Sequence, residues 1–73
     1  MTETQIVEAV KSAFDDIDTS NFHIETNFKD NEEWSSLTAL SLITILDDSF
    51  SKTISGEELA RIDTIKDLYD QIK

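Results

Sequence analysis

The residues best placed to do chemistry are two neighbouring serines, Ser35 and Ser36, which stand between Trp34 and Leu37 at the start of an apolar segment. That segment has the pattern of a helix, and a helix N-terminus offers unpaired N–H groups and the positive end of the helix dipole. A phosphodiester formed on a serine at this position would therefore be stabilised. Ordinary helix capping is the competing interpretation, and position alone favours it, because serine is a preferred N-cap residue.

Catalytic groups are otherwise scarce. His23 stands in a polar stretch, with no serine or cysteine in a recognisable nucleophile context, which is typical of a solvent-exposed surface histidine. Several pairs of adjacent carboxylates occur, but neighbouring residues on a helix point about 100° apart and do not converge on one substrate. The lone glycine, Gly56, cannot form a glycine-rich phosphate loop. We therefore predict that the chain is not an enzyme.

Calcium is the metal that an acidic helical chain would most readily bind. Asp16, Asp18 and Ser20 alternate in the manner of an EF-hand loop. The turn position that requires glycine is Asn21, however, and the position of the bidentate glutamate is Asn27. We expect no specific metal site, only weak and diffuse binding of divalent cations.

Composition excludes several classes of protein. The 73 residues carry sixteen Asp and Glu against six Lys and Arg, a net charge of −10, which repels nucleic acid and attracts basic patches on partner proteins. Cysteine is absent, so neither disulfides nor a thiolate zinc site is available. No apolar stretch is long enough to span a membrane. We expect a single domain over residues 1–73, cytoplasmic and monomeric.

Apolar periodicity predicts the helices that must position the serines. Residues 3–17 predict an amphipathic first helix, residues 18–35 a long loop, and residues 36–50 a second helix. Ser55 and Glu58 match a capping box that opens a short third helix ending near Ile62, and Thr64 with Asp67 resembles the same device at the start of a last helix. The predicted loop anchors are Phe22, Ile24, Phe28 and Trp34. The fold predicted is all-α, a four-helix bundle with a long first connection.

The second helix has more apolar residues than one core face needs. Its core face is predicted to comprise Ala39, Leu42, Ile43, Leu46 and Phe50. Leu37, Leu40 and Ile45 point away from that face, and a domain of this size has few other elements to cover them. We expect an exposed apolar seam beside the start of the helix, which usually marks a binding surface. Coverage by the long loop is the alternative.

The order of these features resembles that of acyl carrier proteins. The resembling run is WSSLTALSLITILDDSFSKTISGEELARIDTIKDLYDQI, and the N-terminal helix and loop extend the likeness to nearly the whole chain. Its elements are the Ser-Leu pair at the helix start, the apolar run to Leu46, the acidic pair before Phe50, and Ile54 ahead of the capped short helix. No single motif is specific, but their order and spacing together are.

The resemblance implies roles for particular residues. In that family the serine directly before the leucine carries 4'-phosphopantetheine, which maps onto Ser36, and partner enzymes act on groups held as thioesters on the arm. It implies a phosphopantetheinyl transferase and acyl-loading and acyl-processing enzymes with basic docking patches as partners. The residues expected to meet these partners are Ser35, Leu37, Leu40, Thr44, Asp47 and Asp48. Those expected to line a cleft for an acyl chain are Leu46, Ile54, Leu59 and Ile62.

Two departures from the family pattern keep alternatives open. Ser35 stands where the family usually has the aspartate that helps the transferase recognise its substrate, and Thr38 and Ser41 stand where carboxylates are common. The second difference favours a carrier for a specialised pathway over general fatty-acid synthesis. The alternatives are an unmodified carrier-like fold that acts as an interaction adaptor, and a carrier of aminoacyl or peptidyl groups.

Overall fold

The computed structural model describes residues 2–14 and 18–73. Within them lie four helices, α1 (Glu3–Ser12), α2 (Ser36–Phe50), α3 (Gly56–Arg61) and α4 (Ile65–Ile72). Helix α1 packs against α2 and α4, and α3 packs against α2. The prediction of an all-α, four-helix fold with a short third helix is confirmed, and none of the four helices in the described ranges is long and apolar enough to cross a membrane.

The first helix is shorter than its periodicity predicts. It was expected over residues 3–17, but it ends at Ser12, and the N–H groups of Ala13 and Phe14 donate to Val10 and Lys11, three residues back. Phe14 is nevertheless buried, because its ring packs edge-on against Phe22 with centroids 5.5 Å apart. Because Phe14 lies just past the helix and is also buried, it continues the apolar periodicity of α1. The periodicity alone therefore could not show that α1 ends at Ser12. Ile17, the last apolar position predicted, lies outside the described residues.

Three of the four helix starts are closed by reciprocal caps. Thr2, Ser55 and Thr64 each accept the N–H of the residue three positions on, and the side chains of Gln5, Glu58 and Asp67 accept the N–H of the capping residue in return. Such caps satisfy N–H groups that a helix leaves unpaired. They are valuable here because α3 has only six residues and α4 only eight. Both capping boxes predicted for these helices are confirmed.

The long connection between α1 and α2 is fixed to the rest of the fold. Phe28 is fully buried, and Phe22, Ile24 and Trp34 pack against the core, which confirms all four predicted anchors. Main-chain bonds add to these contacts, since the N–H groups of Ile65 and Lys66 at the start of α4 donate to Thr26 and Ile24. The described part of the loop, residues 18–35, is therefore held against the core and the start of α4.

Helix α2 matches its predicted bounds and lies centrally in the core. Leu42 and Leu46 are fully buried, and Ala39, Ile43 and Phe50 of the predicted core face are partly buried against the core. The helix ends at Ser51, whose left-handed conformation (φ 56°) lets its N–H donate to Asp47. With both ends closed and its buried face anchored, α2 presents a fixed surface to solvent.

The capping carboxylate of Asp67 should make the stability of the fold depend on pH. The N–H groups of Thr64 and Asp63 donate to Asp67, which lowers the pKa of this carboxyl below its ordinary value of 3.8. A lowered folded-state pKa stabilises the fold at pH values above the ordinary 3.8, and this stabilisation is lost below 3.8, as the pH falls through the lowered pKa of the folded state. Asp67→Asn should therefore lower the urea midpoint at neutral pH, and the difference from wild type should shrink at pH values below 3.8.

Asp48→Asn is the matched control for that experiment, because it removes the same charge from an exposed site on α2. It separates the loss of one charge from the loss of the cap. A difference between wild type and Asp67→Asn that stays constant across the acid range would contradict the capping role of the Asp67 charge.

Candidate functional site

The two serines at the start of α2 have different roles. Ser35 is the N-cap, and its hydroxyl accepts the N–H of Thr38 at 3.3 Å. Ser36 is the first residue of the helix and is exposed, and its hydroxyl makes no hydrogen bond with any part of the chain that the structure describes. The capping that serine usually supplies is therefore assigned to Ser35. The hydroxyl of Ser36 remains accessible for covalent modification.

A buried threonine fixes the start of α2 in a way that the sequence did not reveal. Thr38, at a position where the resembling family often has a carboxylate, is 7% exposed, and its hydroxyl donates to the carbonyl of Glu33 at 2.8 Å. Asn31 continues this connection, since its side-chain oxygen accepts the N–H groups of Glu33 and Trp34. Local hydrogen bonds thus determine where Ser36 lies relative to the loop.

An apolar face lies exposed on α2 beside Ser36. The side chains of Leu37 and Leu40 are 74% and 59% exposed, so the loop does not cover them, and the predicted seam is confirmed at these two positions. Thr44 is exposed one turn further along α2, and its hydroxyl donates a hydrogen bond to the main-chain carbonyl of Leu40. Ile45 was expected in the same seam, but this was wrong: it is partly buried against the core. We call Leu37, Leu40 and Thr44 the docking face, after the partner contacts that the sequence predicts for them.

Within α2, the acidic residues lie at the far end of this face. Asp47 and Asp48 are exposed in the last turns of α2, whereas the first turn contains no acidic side chain. A negative phosphodiester on Ser36 would therefore meet no carboxylate within its own helical turn. The same arrangement places the charge on α2 that can attract a basic partner about three turns away from Ser36.

A cavity of about 280 Å³ opens directly beside Ser36. We call it the Ser36 cavity; its lining includes Lys29, Trp34, Ser35, Ser36, Ala39, Gly56, Leu59 and Ala60. Of the four residues expected to line an acyl cleft, Leu59 reaches this cavity. The other three, Leu46, Ile54 and Ile62, are 0%, 2% and 8% exposed and belong to the packed core. All four residues belong to one buried cluster, and Leu59 is the member of it that also lines the cavity.

Lys29 is the charged residue in the wall of this cavity, and its role was not predicted. Its ammonium donates to the main-chain carbonyls of Leu59 and Ala60 at 3.2 and 3.0 Å, thirty and thirty-one residues away in sequence. Both carbonyls lie at the C-terminal end of α3, where a cation is electrostatically favoured. Lys29 therefore joins the long loop to α3 across the cavity.

The residues considered for other chemistry lie in local turns. His23 is exposed, and its imidazole Nδ1 accepts the N–H of Glu25 at 3.2 Å. Asp18 accepts the N–H of Ser20 at 2.9 Å, and hydrogen bonds from Ser20 lower the pKa of its carboxyl. Asp16, the first position of the calcium pattern, lies outside the described residues. Among the residues that the structure covers, no three His, Asp or Glu side chains converge on a metal position.

These features together describe a small helical domain of the carrier class: a capped helix start, an exposed serine there with an unbonded hydroxyl, an exposed apolar face and a cavity beside the serine. A family model described as "phosphopantetheine attachment site" matches residues 4–72. Because this match covers nearly the whole chain, the protein belongs to the phosphopantetheine-attachment family. No solved structure matches the chain.

Membership of this family establishes the general role and the cofactor. The domain is a phosphopantetheine carrier, and 4'-phosphopantetheine is the group attached covalently to it. Domains of this family are generally non-catalytic and interact with a transferase and with processing enzymes. The residues at the start of α2 fit such a group, since an exposed and unbonded serine hydroxyl lies at the mouth of a cavity.

The different environments of the two serines predict different effects on stability. Ser35→Ala removes the N-cap and should lower the free energy of unfolding by about 1 kcal/mol. Ser36→Ala removes an exposed hydroxyl at a position where alanine is a good helix former, so it should change stability by less than about 0.5 kcal/mol. Urea unfolding of the unmodified proteins measures both, and equal losses would show that Ser35 is not the cap.

Proposed function

We propose that this protein is an acyl carrier in which Ser36 carries the 4'-phosphopantetheine arm, with its terminal thiol presenting acyl intermediates as thioesters. The observation that carries this proposal is the contrast between the serines, because Ser35 is engaged in capping while Ser36 is exposed with an unbonded hydroxyl. The leucine that follows Ser36 gives the same order as in the resembling family.

The start of α2 would stabilise the attached phosphodiester without any catalytic group. The first N–H groups of a helix have no intrahelical acceptors, and the helix dipole is positive at this end. The side chain of Ser35 takes the N–H of Thr38, and regular helical bonding begins with the N–H of Ala39 to the carbonyl of Ser35. The N–H groups of Ser36 and Leu37 remain as donors to the phosphate oxygens.

The docking face is the surface that we propose for partner enzymes, including the phosphopantetheinyl transferase. Leu37, Leu40 and Thr44 would supply apolar contact at the centre, with Ser35 beside the modified residue. Asp47 and Asp48 would attract basic patches of the partner from the rim, which affects mainly the association rate and its dependence on salt. The net charge of −10 acts over the whole surface in the same direction.

The carried group belongs, in this proposal, to fatty-acid, polyketide or specialised lipid synthesis, and the sparse charge on the first turn of α2 favours a specialised pathway. An acyl chain long enough to pass the Ser36 cavity would have to separate Leu46, Ile54, Leu59 and Ile62, which are packed together. We also propose that the carrier is a cytoplasmic monomer, since coenzyme A supplies the arm there.

Two alternative functions can be distinguished from this proposal by experiment. An unmodified interaction adaptor would use the same docking face, and Ser35 in place of the usual aspartate is the feature that favours it. A carrier of aminoacyl or peptidyl groups would be modified on Ser36 in the same way and would differ only in its cargo. Mass spectrometry of the protein distinguishes the adaptor from both carriers.

Modification should therefore depend on Ser36 and not on Ser35. Wild type, Ser35→Ala and Ser36→Ala are incubated with coenzyme A and a broad-specificity transferase, and the intact masses are measured. Wild type and Ser35→Ala should each gain one phosphopantetheine, and Ser36→Ala should gain none. Modification of the Ser36→Ala protein would disprove the assignment, and an unmodified wild type would support the adaptor.

A second prediction concerns the docking face. Leu40→Asn should raise the KM of the transferase for the unmodified protein at least about fivefold, because loss of an apolar anchor at an interface costs about 1 kcal/mol or more. Ser49→Asn is the matched control, since this exposed residue lies nine positions along α2 and thus about 180° around the helix. Equal KM values for the two variants, with both proteins folded by circular dichroism, would exclude Leu40 from the interface.

A further inference from the structure

The Ser36 cavity has one lining residue that an acyl-chain pocket does not require, Lys29, whose ammonium group bonds to the carbonyls of two other lining residues, Leu59 and Ala60. Most of the remaining wall is apolar or small, formed by Trp34, Ala39, Gly56, Leu59 and Ala60. Lys29 is half-buried, and among the described residues no carboxylate lies within ion-pair distance of it. In a chain of net charge −10, this cation is held at the cavity by carbonyl groups rather than by acidic side chains.

The hydrogen bonding of Lys29 is incomplete in a way that matters for a ligand. An ammonium group has three donors. Two of them are directed to the carbonyls of Leu59 and Ala60, so the third is available to water or to an acceptor in the cavity. Removing water from a charged donor without supplying an acceptor is unfavourable, whereas a hydrogen bond to a charged group is among the stronger ones in proteins.

The depth of the cavity limits what can occupy it. Its volume of about 280 Å³ is just below the range for small-molecule pockets, about 300–1,000 Å³. Leu59 in its wall belongs to a packed core in which Phe28, Leu42 and Leu46 are fully buried. A group carried on Ser36 can therefore occupy the space beside Lys29 without disrupting the core only if it is short.

We propose that Lys29 determines the specificity of the Ser36 cavity, which binds a short acyl group bearing a hydrogen-bond acceptor near the thioester, such as a 3-oxoacyl group, in preference to an unsubstituted alkyl chain. The acceptor oxygen takes the third ammonium donor while the bonds to α3 persist. An alkyl chain in the same space removes water from the ammonium and supplies nothing in exchange. This inference rests on the proposed attachment of the arm to Ser36.

The test compares two loads of equal chain length on the whole protein. Hexanoyl and 3-oxohexanoyl groups are attached through phosphopantetheine analogues in which an amide replaces the thioester, so that neither load hydrolyses. Amide hydrogen exchange in residues 56–61 is then measured for each loaded form. In wild type, 3-oxohexanoyl should slow exchange about tenfold relative to hexanoyl, the factor that corresponds to a hydrogen bond of about 1.4 kcal/mol.

Lys29→Met keeps the apolar stem and removes the ammonium, so the preference should disappear or reverse in this variant. Lys66→Met is the matched control, because it removes the same charge from an exposed site on α4 and should keep the wild-type preference. Lys29→Arg retains donors and should retain part of the preference. Equal exchange for the two loads in wild type, or an unchanged preference in Lys29→Met, would overturn the proposal.

A measurement on wild type alone covers the case in which Lys29→Met does not fold. The NMR signals of the Lys29 ε-methylene group should shift with the 3-oxohexanoyl load and less with the hexanoyl load. Signals that do not move with either load would overturn the proposal. Failure of the attachment itself would appear earlier, as a protein whose mass does not increase, and so would be distinguished from failure of the specificity.

Discussion

Burial of one loop residue, Phe28, organises the described parts of the molecule. Its side chain has no exposed surface and its ring meets Trp34 edge-on, with centroids 5.3 Å apart. Because Phe28 is fixed, the residues on either side of it can make contacts at fixed distances. Asn27 forms an isolated bridge with Thr64 at the start of α4, and Lys29 reaches the end of α3. Asn31, three residues on, donates to the carbonyl of Phe28 and accepts from Trp34.

The position of Ser36 follows from that anchor through short-range bonds. Asn31 fixes Glu33 and Trp34, the carbonyl of Glu33 accepts from the buried Thr38, and Thr38 also bonds to Ser35. Each step is a hydrogen bond between residues at most five apart, so the start of α2 has little freedom relative to the loop. A transferase and later enzymes would consequently meet the same serine beside the same exposed leucines.

Much of the fold could be predicted from the sequence, because its signals are local. Capping pairs such as Ser55 with Glu58 depend on three-residue spacing, and α2 has an uninterrupted apolar pattern. The exposure of Leu37 and Leu40 could be predicted because α2 has more apolar residues than the few other elements of a small domain can cover. The end of α1 was misjudged, because Phe14 is buried by aromatic contacts with Phe22 and Trp34, beyond the last helical turn.

The residues missed at the site share a different property. Thr38 is a polar residue of a kind usually found at the surface. It can be buried because its hydroxyl donates to the carbonyl of Glu33, five residues earlier. Lys29 reads as one cation in a polar loop, and only the folded chain brings it to carbonyls thirty residues away. Sequence periodicity contains no information about such partners. The cleft residues Leu46, Ile54 and Ile62 were correctly expected to face inward, but inward-facing spacing does not distinguish a cavity wall from a packed core.

The structure separates the surface that partners would contact from the element that would respond to cargo. Helix α2 carries the exposed leucines and is held by Leu42 and Leu46, both fully buried, so its outer face has no reason to change when a group is loaded. Helix α3 has six residues, one of which, Leu59, is buried, and the Lys29 ammonium donates to two carbonyls of its last turn. Short elements with few buried contacts are those that open most easily. In the proposed function, the docking face would stay constant for successive enzymes while α3, on the other side of Ser36, accommodated the cargo.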